Sequence, residues 1–124
     1  MRSSSKYRQT VLVVEDEGLV RLDAAETLRD AGFDVVEAAN AEQALAVVAG
    51  GEDVDLLFTD INMPGPIDGL ELARRVSRLR PRIHLLLTSG RATPARGQIP
   101  DDGAFISKPY SPDAVTRAVS AMLA

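Results

Sequence analysis

Cysteine is absent from the chain, which excludes disulfides, thiolate metal ligands and a cysteine nucleophile. Tryptophan is absent too, and aromatic residues amount to only 4% of the sequence, so the core has to be built mainly from Leu, Val, Ile and Ala. No apolar run approaches the roughly 20 residues that a membrane-spanning helix requires, and the stretch from Met1 to Lys6 lacks the apolar segment of a secretory signal. A membrane is therefore not an expected partner. Basic residues number 14 against 18 acidic ones, a net charge of −4. No basic face is evident for displacing counterions from phosphates, so nucleic acid is not an expected partner either. The lack of cysteine accords with a reducing compartment, and the cytoplasm is the expected location.

What is present is a chain of 124 residues, 45% hydrophobic and 26% charged, the size and balance of one globular domain. Residues 1–9 read as a flexible lead-in and residues 10–124 as a single folded domain, expected to stand alone without an effector domain in this chain. Short apolar runs alternate with helix-period segments, which is the βαβα order of a doubly wound α/β fold with five parallel strands. Strands are expected at Thr10–Val14, Phe33–Glu37, Val54–Thr59, Ile83–Thr88 and Ala104–Ser107.

A first helix is expected over about Gly18–Ala31, with Leu19, Leu22, Ala25, Glu26 and Leu28 as the stripe facing the sheet and Gly32 ending it. A second spans Ala41–Ala49, capped by Asn40 with Gln43 three residues on, as in a capping box. The third opens at Asp68 or Gly69 and runs to about Arg80, with Leu70, Leu72, Ala73, Val76 and Leu79 available to the sheet. Ser111 caps the last helix, Pro112 lies in its first turn, and Ala114, Val115, Ala118, Val119 and Leu123 form its apolar side. Between Ser89 and Gly103 stand two prolines and three glycines with almost no apolar periodicity. An irregular crossover is expected there in place of a fourth helix on that flank.

The chemistry-bearing residues sit at the ends of the strands. Glu15 and Asp16 follow the first, Asp60 the third, Thr88 ends the fourth and Lys108 follows the fifth. In open α/β sheets the C-terminal rim is where ligands bind. Carboxylates on neighbouring strand ends repel one another unless a cation lies between them, and Mg²⁺ takes one or two carboxylates with waters and phosphate oxygens. Asp16 and Asp60 suit direct coordination, the backbone carbonyl of Asn62 can be a third protein ligand, and Glu15 can hold a metal-bound water. An aspartate such as Asp60 is a sufficient nucleophile for a phosphoryl group. Lys108 and Thr88 would then stabilise the equatorial oxygens of the transition state.

These features together resemble the receiver domain of response regulators. The resemblance rests on Glu15–Asp16, Asp60, the Met63–Pro64 turn leading to Asp68–Gly69, Thr88 and Lys108–Pro109, and covers the chain from Thr10 to Ala124. It implies the flavodoxin-like receiver fold and Mg²⁺-dependent acceptance of a phosphoryl group on Asp60 from a phosphohistidine. The donor would be a histidine kinase or a histidine phosphotransfer protein, and the output altered binding of a downstream protein. It implies a switch rather than a turnover enzyme, with Thr88 and Phe105 as its moving parts, and a cis Lys108–Pro109 bond. The pocket beside small Ser89 and Gly90 is open to water, which makes Asn62 and Gly90 the residues expected to tune dephosphorylation. Gly65–Pro66 departs from the family's usual turn, and Ser89–Gly103 departs from its usual fourth helix.

Taken singly, these residues have plainer readings. Asp60 can cap a turn, Glu15 and Asp16 can complement a helix N-terminus, Thr88 can end a strand, and Lys108 can be a solvated amine. His84, the only histidine, reads as a strand residue at the sheet surface. A nucleotide-binding unit would need a glycine-rich turn where the chain has Glu15–Asp16–Glu17–Gly18. A haloacid-dehalogenase-like phosphatase would want an aspartate where Asn62 stands. The alternative that survives is a phosphate-independent, receiver-like protein-interaction module.

Overall fold

Runs rich in Val, Leu and Ile expose little polar surface on either side, so they are most stable in a sheet covered on both faces. The structure, a computed structural model describing residues 8–91, 93–95 and 97–124, forms them into β1 (Thr10–Val14), β2 (Asp34–Ala38), β3 (Leu56–Asp60), β4 (His84–Ser89) and β5 (Ala104–Ser107). The expected lead-in falls, over residues 1–7, outside the described residues. All five strands pair in parallel in the order β2-β1-β3-β4-β5. The helices are α1 (Gly18–Asp30), α2 (Ala41–Ala49), α3 (Gly69–Leu79) and α4 (Pro112–Met122). This is the flavodoxin-like doubly wound fold.

Alternation along the strands divides the core in two. Val11, Val13, Leu56, Phe58 and Leu86 meet Ala24 and Leu28 of α1 and Val115 and Val119 of α4. On the other face Leu12, Leu57, Leu85 and Leu87 meet Ala44 and Val48 of α2 and Leu72, Ala73 and Val76 of α3. Helix starts are set by side-chain caps: Asn40 Oδ1 accepts from Gln43 N at 2.8 Å, Asp68 Oδ1 from Glu71 N at 2.9 Å, and Ser111 Oγ from Ala114 N at 3.1 Å. The reciprocal bond of Gln43 goes to the amide of Ala39, at 2.7 Å.

Several expectations are corrected. The sheet-facing side of α1 is Ala24, Ala25 and Leu28, whereas Leu19 and Leu22 are 84% and 44% exposed and Glu26 faces solvent. Leu19 and Leu22 lie in the first turns, at the rim of the sheet, and the small Ala24 and Ala25 are what let the helix close onto it. Leu79 ends α3 half-exposed for the same kind of reason, past the edge of the covered sheet. β2 and β4 each begin and end one residue later than the apolar runs, at Asp34–Ala38 and His84–Ser89, because pairing with β1 and β3 decides the register. His84 is exposed, as expected.

The irregular crossover is confirmed: among the described residues between β4 and β5 no helix or strand forms. Ile99 and Phe105 close that flank by packing against the core of α2 and α3. Asp101 ties the segment to α3 by accepting from Ser77 Oγ at 2.5 Å.

Gly69 shows how tightly the rim is built. A Cβ there would collide with the backbone carbonyl of Asp60, so α3 can start this close to the end of β3 only because position 69 has no side chain. Gly69→Ala is expected to lower stability by about 1–3 kcal/mol, read as a fall in the urea midpoint at unchanged m-value. An unchanged midpoint would show that the turn has room to give.

Candidate functional site

The chain adds β2 on one side of β1 and β3 on the other. The crevice above the C-terminal ends of β1 and β3 is therefore the topological switch point. Register then assembles the site. Asp60 pairs with Thr88, and Ser89 with Ser107, so Lys108 emerges beside both. Glu15 extends the ladder past β1, its amide donating to Ala38 O at 3.1 Å.

The three charged groups meet directly. Lys108 Nζ donates to Glu15 Oε1 at 2.7 Å and to Asp60 Oδ2 at 2.8 Å. Both carboxylates are buried, Glu15 at 4% and Asp60 at 6% exposure. Burial pushes the Glu15 carboxyl above its usual range, even though Lys108 and the amide of Glu17 pull it the other way. Burial also works against the Lys108 ammonium, but its bonds to Asp60 and Glu15 outweigh that and hold it well above the ordinary lysine range. Lys108 is thus firmly charged. The Lys108–Pro109 peptide is cis.

The other oxygen of Asp60 accepts from the amide of Asn62 at 3.0 Å. The turn carrying Asn62 is held by Ile61 N donating to Thr88 O at 2.8 Å and Gly69 N donating to Ile61 O at 2.9 Å. Glu15, Asp16 and Asp60 each bring an oxygen within 4.8 Å of the others, and Asp16 is exposed. A cavity of about 620 Å³ opens over Asp60, lined also by Asp16, Glu17, Asn62, Asp68 and Arg91. Glu15 is absent from that lining and sits behind, against Lys108.

Thr88 is 2% exposed and its Oγ1 has no hydrogen-bond partner among the described residues, an uncommon state for a buried hydroxyl. Beside it lies a void of about 10 Å³, lined by Glu15, Phe58, Asp60 and Tyr110. Phe105 packs on the opposite core, against α2 and α3. The two residues expected to move together are therefore on different faces, and the aromatics next to Thr88 are Phe58 and Tyr110. Their rings pack at 5.5 Å and 59°, and burial pushes the Tyr110 phenol up to about 12. Tyr110 carried no signal in the sequence beyond its place after Lys108–Pro109. Gly90 is exposed, and a Cβ there would lie 3.7 Å from the Lys108 stem, in ordinary contact. Ser89 was also missed as a participant: its buried hydroxyl donates to Asn62 Oδ1 at 2.5 Å.

The family model for the response regulator receiver domain matches residues 11–120. The chain belongs to the response regulator receiver family. It is 37% identical over 119 residues to the sensor kinase CckA of Brucella abortus, covering 92% of this chain and 12% of that protein. It is 33% identical over 103 residues to the receiver protein CpdR of the same organism, covering 81% of this chain and 84% of CpdR. A receiver protein from Sinorhizobium medicae superposes with a TM-score of 0.87 at 30% identity, covering 94% of both chains. The receiver domain of the hybrid histidine kinase CckA superposes with a TM-score of 0.79 at 33% identity, covering 93% of this chain. The chain spans 12% of the CckA kinase and 50% of the regulator PdtaR of Mycobacterium tuberculosis, so it corresponds to one module of those proteins. It is a receiver domain of two-component signalling. Among the described residues no helix is long and apolar enough to cross a membrane.

Among the described residues Lys108 is the only cation in contact with two buried carboxylates. Lys108→Met is expected to cost about 3 kcal/mol at neutral pH. Without the ammonium, the burial that raises the Glu15 carboxyl is less opposed, so Glu15 binds its proton more tightly folded than unfolded, and stability is present at low pH and lost as pH rises. The variant should therefore recover on acidification from pH 7 to 5, measured by chemical denaturation at each pH. A deficit independent of pH would mean that Lys108 acts through packing alone.

Proposed function

We propose that the receiver domain works as a phosphorylation-controlled switch in a phosphorelay, with Asp60 as phosphoacceptor. The observation that carries this reading is the partnerless, buried hydroxyl of Thr88 beside a carboxylate that is already held by an ammonium and an amide. A hydroxyl left unsatisfied in one state has a partner to gain in another, and a phosphoryl oxygen on Asp60 would supply it.

In the transfer, an Asp60 oxygen forms the bond to phosphorus as the P–N bond of a phosphohistidine breaks, and the imidazole leaves with the electron pair. Lys108 neutralises charge from the interior side, and the Asn62 amide holds the carboxylate in orientation. The clustered carboxylates of Asp16, Asp60 and Glu15 fit Mg²⁺; Asp16 and Asp60 would hold it directly with the Asn62 carbonyl, and Glu15 through water. The ion would supply charge neutralisation for the incoming phosphoryl group. After transfer, Thr88 turns toward the phosphoryl group, and Phe105, half-buried on the opposite face of the sheet, repacks in response. Asn62 and Gly90 border the path of the hydrolytic water and tune the lifetime of the adduct. The donor is a histidine kinase or histidine phosphotransfer protein, as the likeness to CckA and CpdR supports. The state is read by a downstream protein, and we place the exchange in the cytoplasm.

Incubation with acetyl phosphate and Mg²⁺, followed by intact mass, is expected to give one added phosphoryl group. Omitting the metal or substituting Asp60→Asn should abolish it. Asn62→Lys or Gly90→Asn should change the half-life of the adduct by about tenfold or less, while Asp60 is still labelled. No adduct, and no binding of a beryllofluoride mimic, would favour the phosphate-independent interaction module.

A further inference from the structure

The cavity over Asp60 is lined by four carboxylates, Asp16, Glu17, Asp60 and Asp68, and by one cation, Arg91. A phosphoryl group enters it as a dianion, and most of that wall repels it. Lys108 answers the charge from behind, where it is already engaged by Glu15 and Asp60. From the solvent side the only compensating charge among the described lining residues is the exposed guanidinium of Arg91, which has no hydrogen bond or ion pair among the described residues.

The Arg91 side chain is exposed, but its backbone is anchored. The Arg91 amide donates to Ser89 Oγ at 3.1 Å, Ser89 Oγ donates to Asn62 Oδ1 at 2.5 Å, and the Asn62 amide donates to Asp60 Oδ1 at 3.0 Å. Three hydrogen bonds thus run from the carboxylate of Asp60 to the start of the irregular segment. Ser89 itself is 4% exposed and paired with β5, so the relay rests on the sheet and not on the loop. A guanidinium presents paired N–H donors that match two phosphoryl oxygens at once, and it does not lose its charge.

We propose that Arg91 is a phosphoryl-binding residue that takes the outward-facing oxygens of the group on Asp60, and that Ser89 is the residue that positions it. The inference rests on Asp60 being the phosphoacceptor. Arg91 exchanges no proton and forms no covalent bond in this role. Because Arg91 stands at the start of the irregular crossover, the same contact ties that start to the phosphorylated rim.

The test is a titration of the ¹⁵N-labelled full chain with beryllofluoride at saturating Mg²⁺, followed by amide and arginine Nε–H signals. Saturation of the wild type is expected to shift the Arg91 Nε–H signal. Arg91→Ala should weaken affinity for the mimic about tenfold, Arg91→Lys should restore part of it, and Ser89→Ala should weaken it about threefold. Arg78→Ala, which removes an exposed arginine from the last turn of α3, should change nothing. Affinity of Arg91→Ala equal to wild type, or an Arg91 signal unmoved at saturation, overturns the proposal. A wild type that binds the mimic no better than Asp60→Asn overturns the reading of Asp60 itself, and Arg91 falls with it.

Discussion

Two carboxylates from different strands, both buried, face one ammonium from a third. Lys108 reaches Glu15 beyond β1 and Asp60 at the end of β3 at 2.7 and 2.8 Å, and the rest of the rim is arranged around that contact. Buried charges are costly unless paired, so the two acids can stand at the switch point only with β5 in register beside β4. The same bridge fastens β5, a short edge strand whose residues are only partly buried. Strand order, register and site electrostatics are thus one constraint seen from three sides.

The crossover between β4 and β5 has a different character. It contributes Ile99 to the core and little else that is apolar, so the flank of the sheet near Phe105 is covered more thinly than the opposite face, where α1 and α4 lie together. Its start is tied to the acceptor loop through Ser89, and its end to α3 through Asp101. A segment anchored at both ends, with no helix or strand among its described residues, can change shape without disturbing the sheet. That is a suitable place for a signalling state to be expressed.

Membership of the receiver family says what kind of site this is, and does not say what reads it. The relatives range from a sensor kinase of which the chain spans 12% to a receiver protein of which it spans 84%. In the proposed reading the chemistry resides at the strand ends, where Glu15, Asp60, Thr88 and Lys108 come together. Output depends on surfaces that the family varies, and here the variable flank is the one without its helix.

Much of this was legible in the sequence because it depends on local rules. Alternation of apolar runs with helix-period segments dictates a parallel sheet, Asn40, Asp68 and Ser111 cap where their side chains can reach the next amides, and the prolines and glycines after Ser89 forbid a helix. The acids, Thr88 and Lys108 stood out because each ends an apolar run. Only the tertiary structure decided which side of α1 faces inward, since Leu19 and Leu22 satisfy the helical period but overhang the rim. It also decided that Glu15 answers to Lys108 and lies behind the cavity, that Tyr110 shares a void with Thr88 while Phe105 packs on the other face, and that Ser89 joins Asn62 to Arg91. Those facts come from register between strands far apart in the chain, and a sequence carries no local signal for the side chain that a neighbouring strand will place at a given distance.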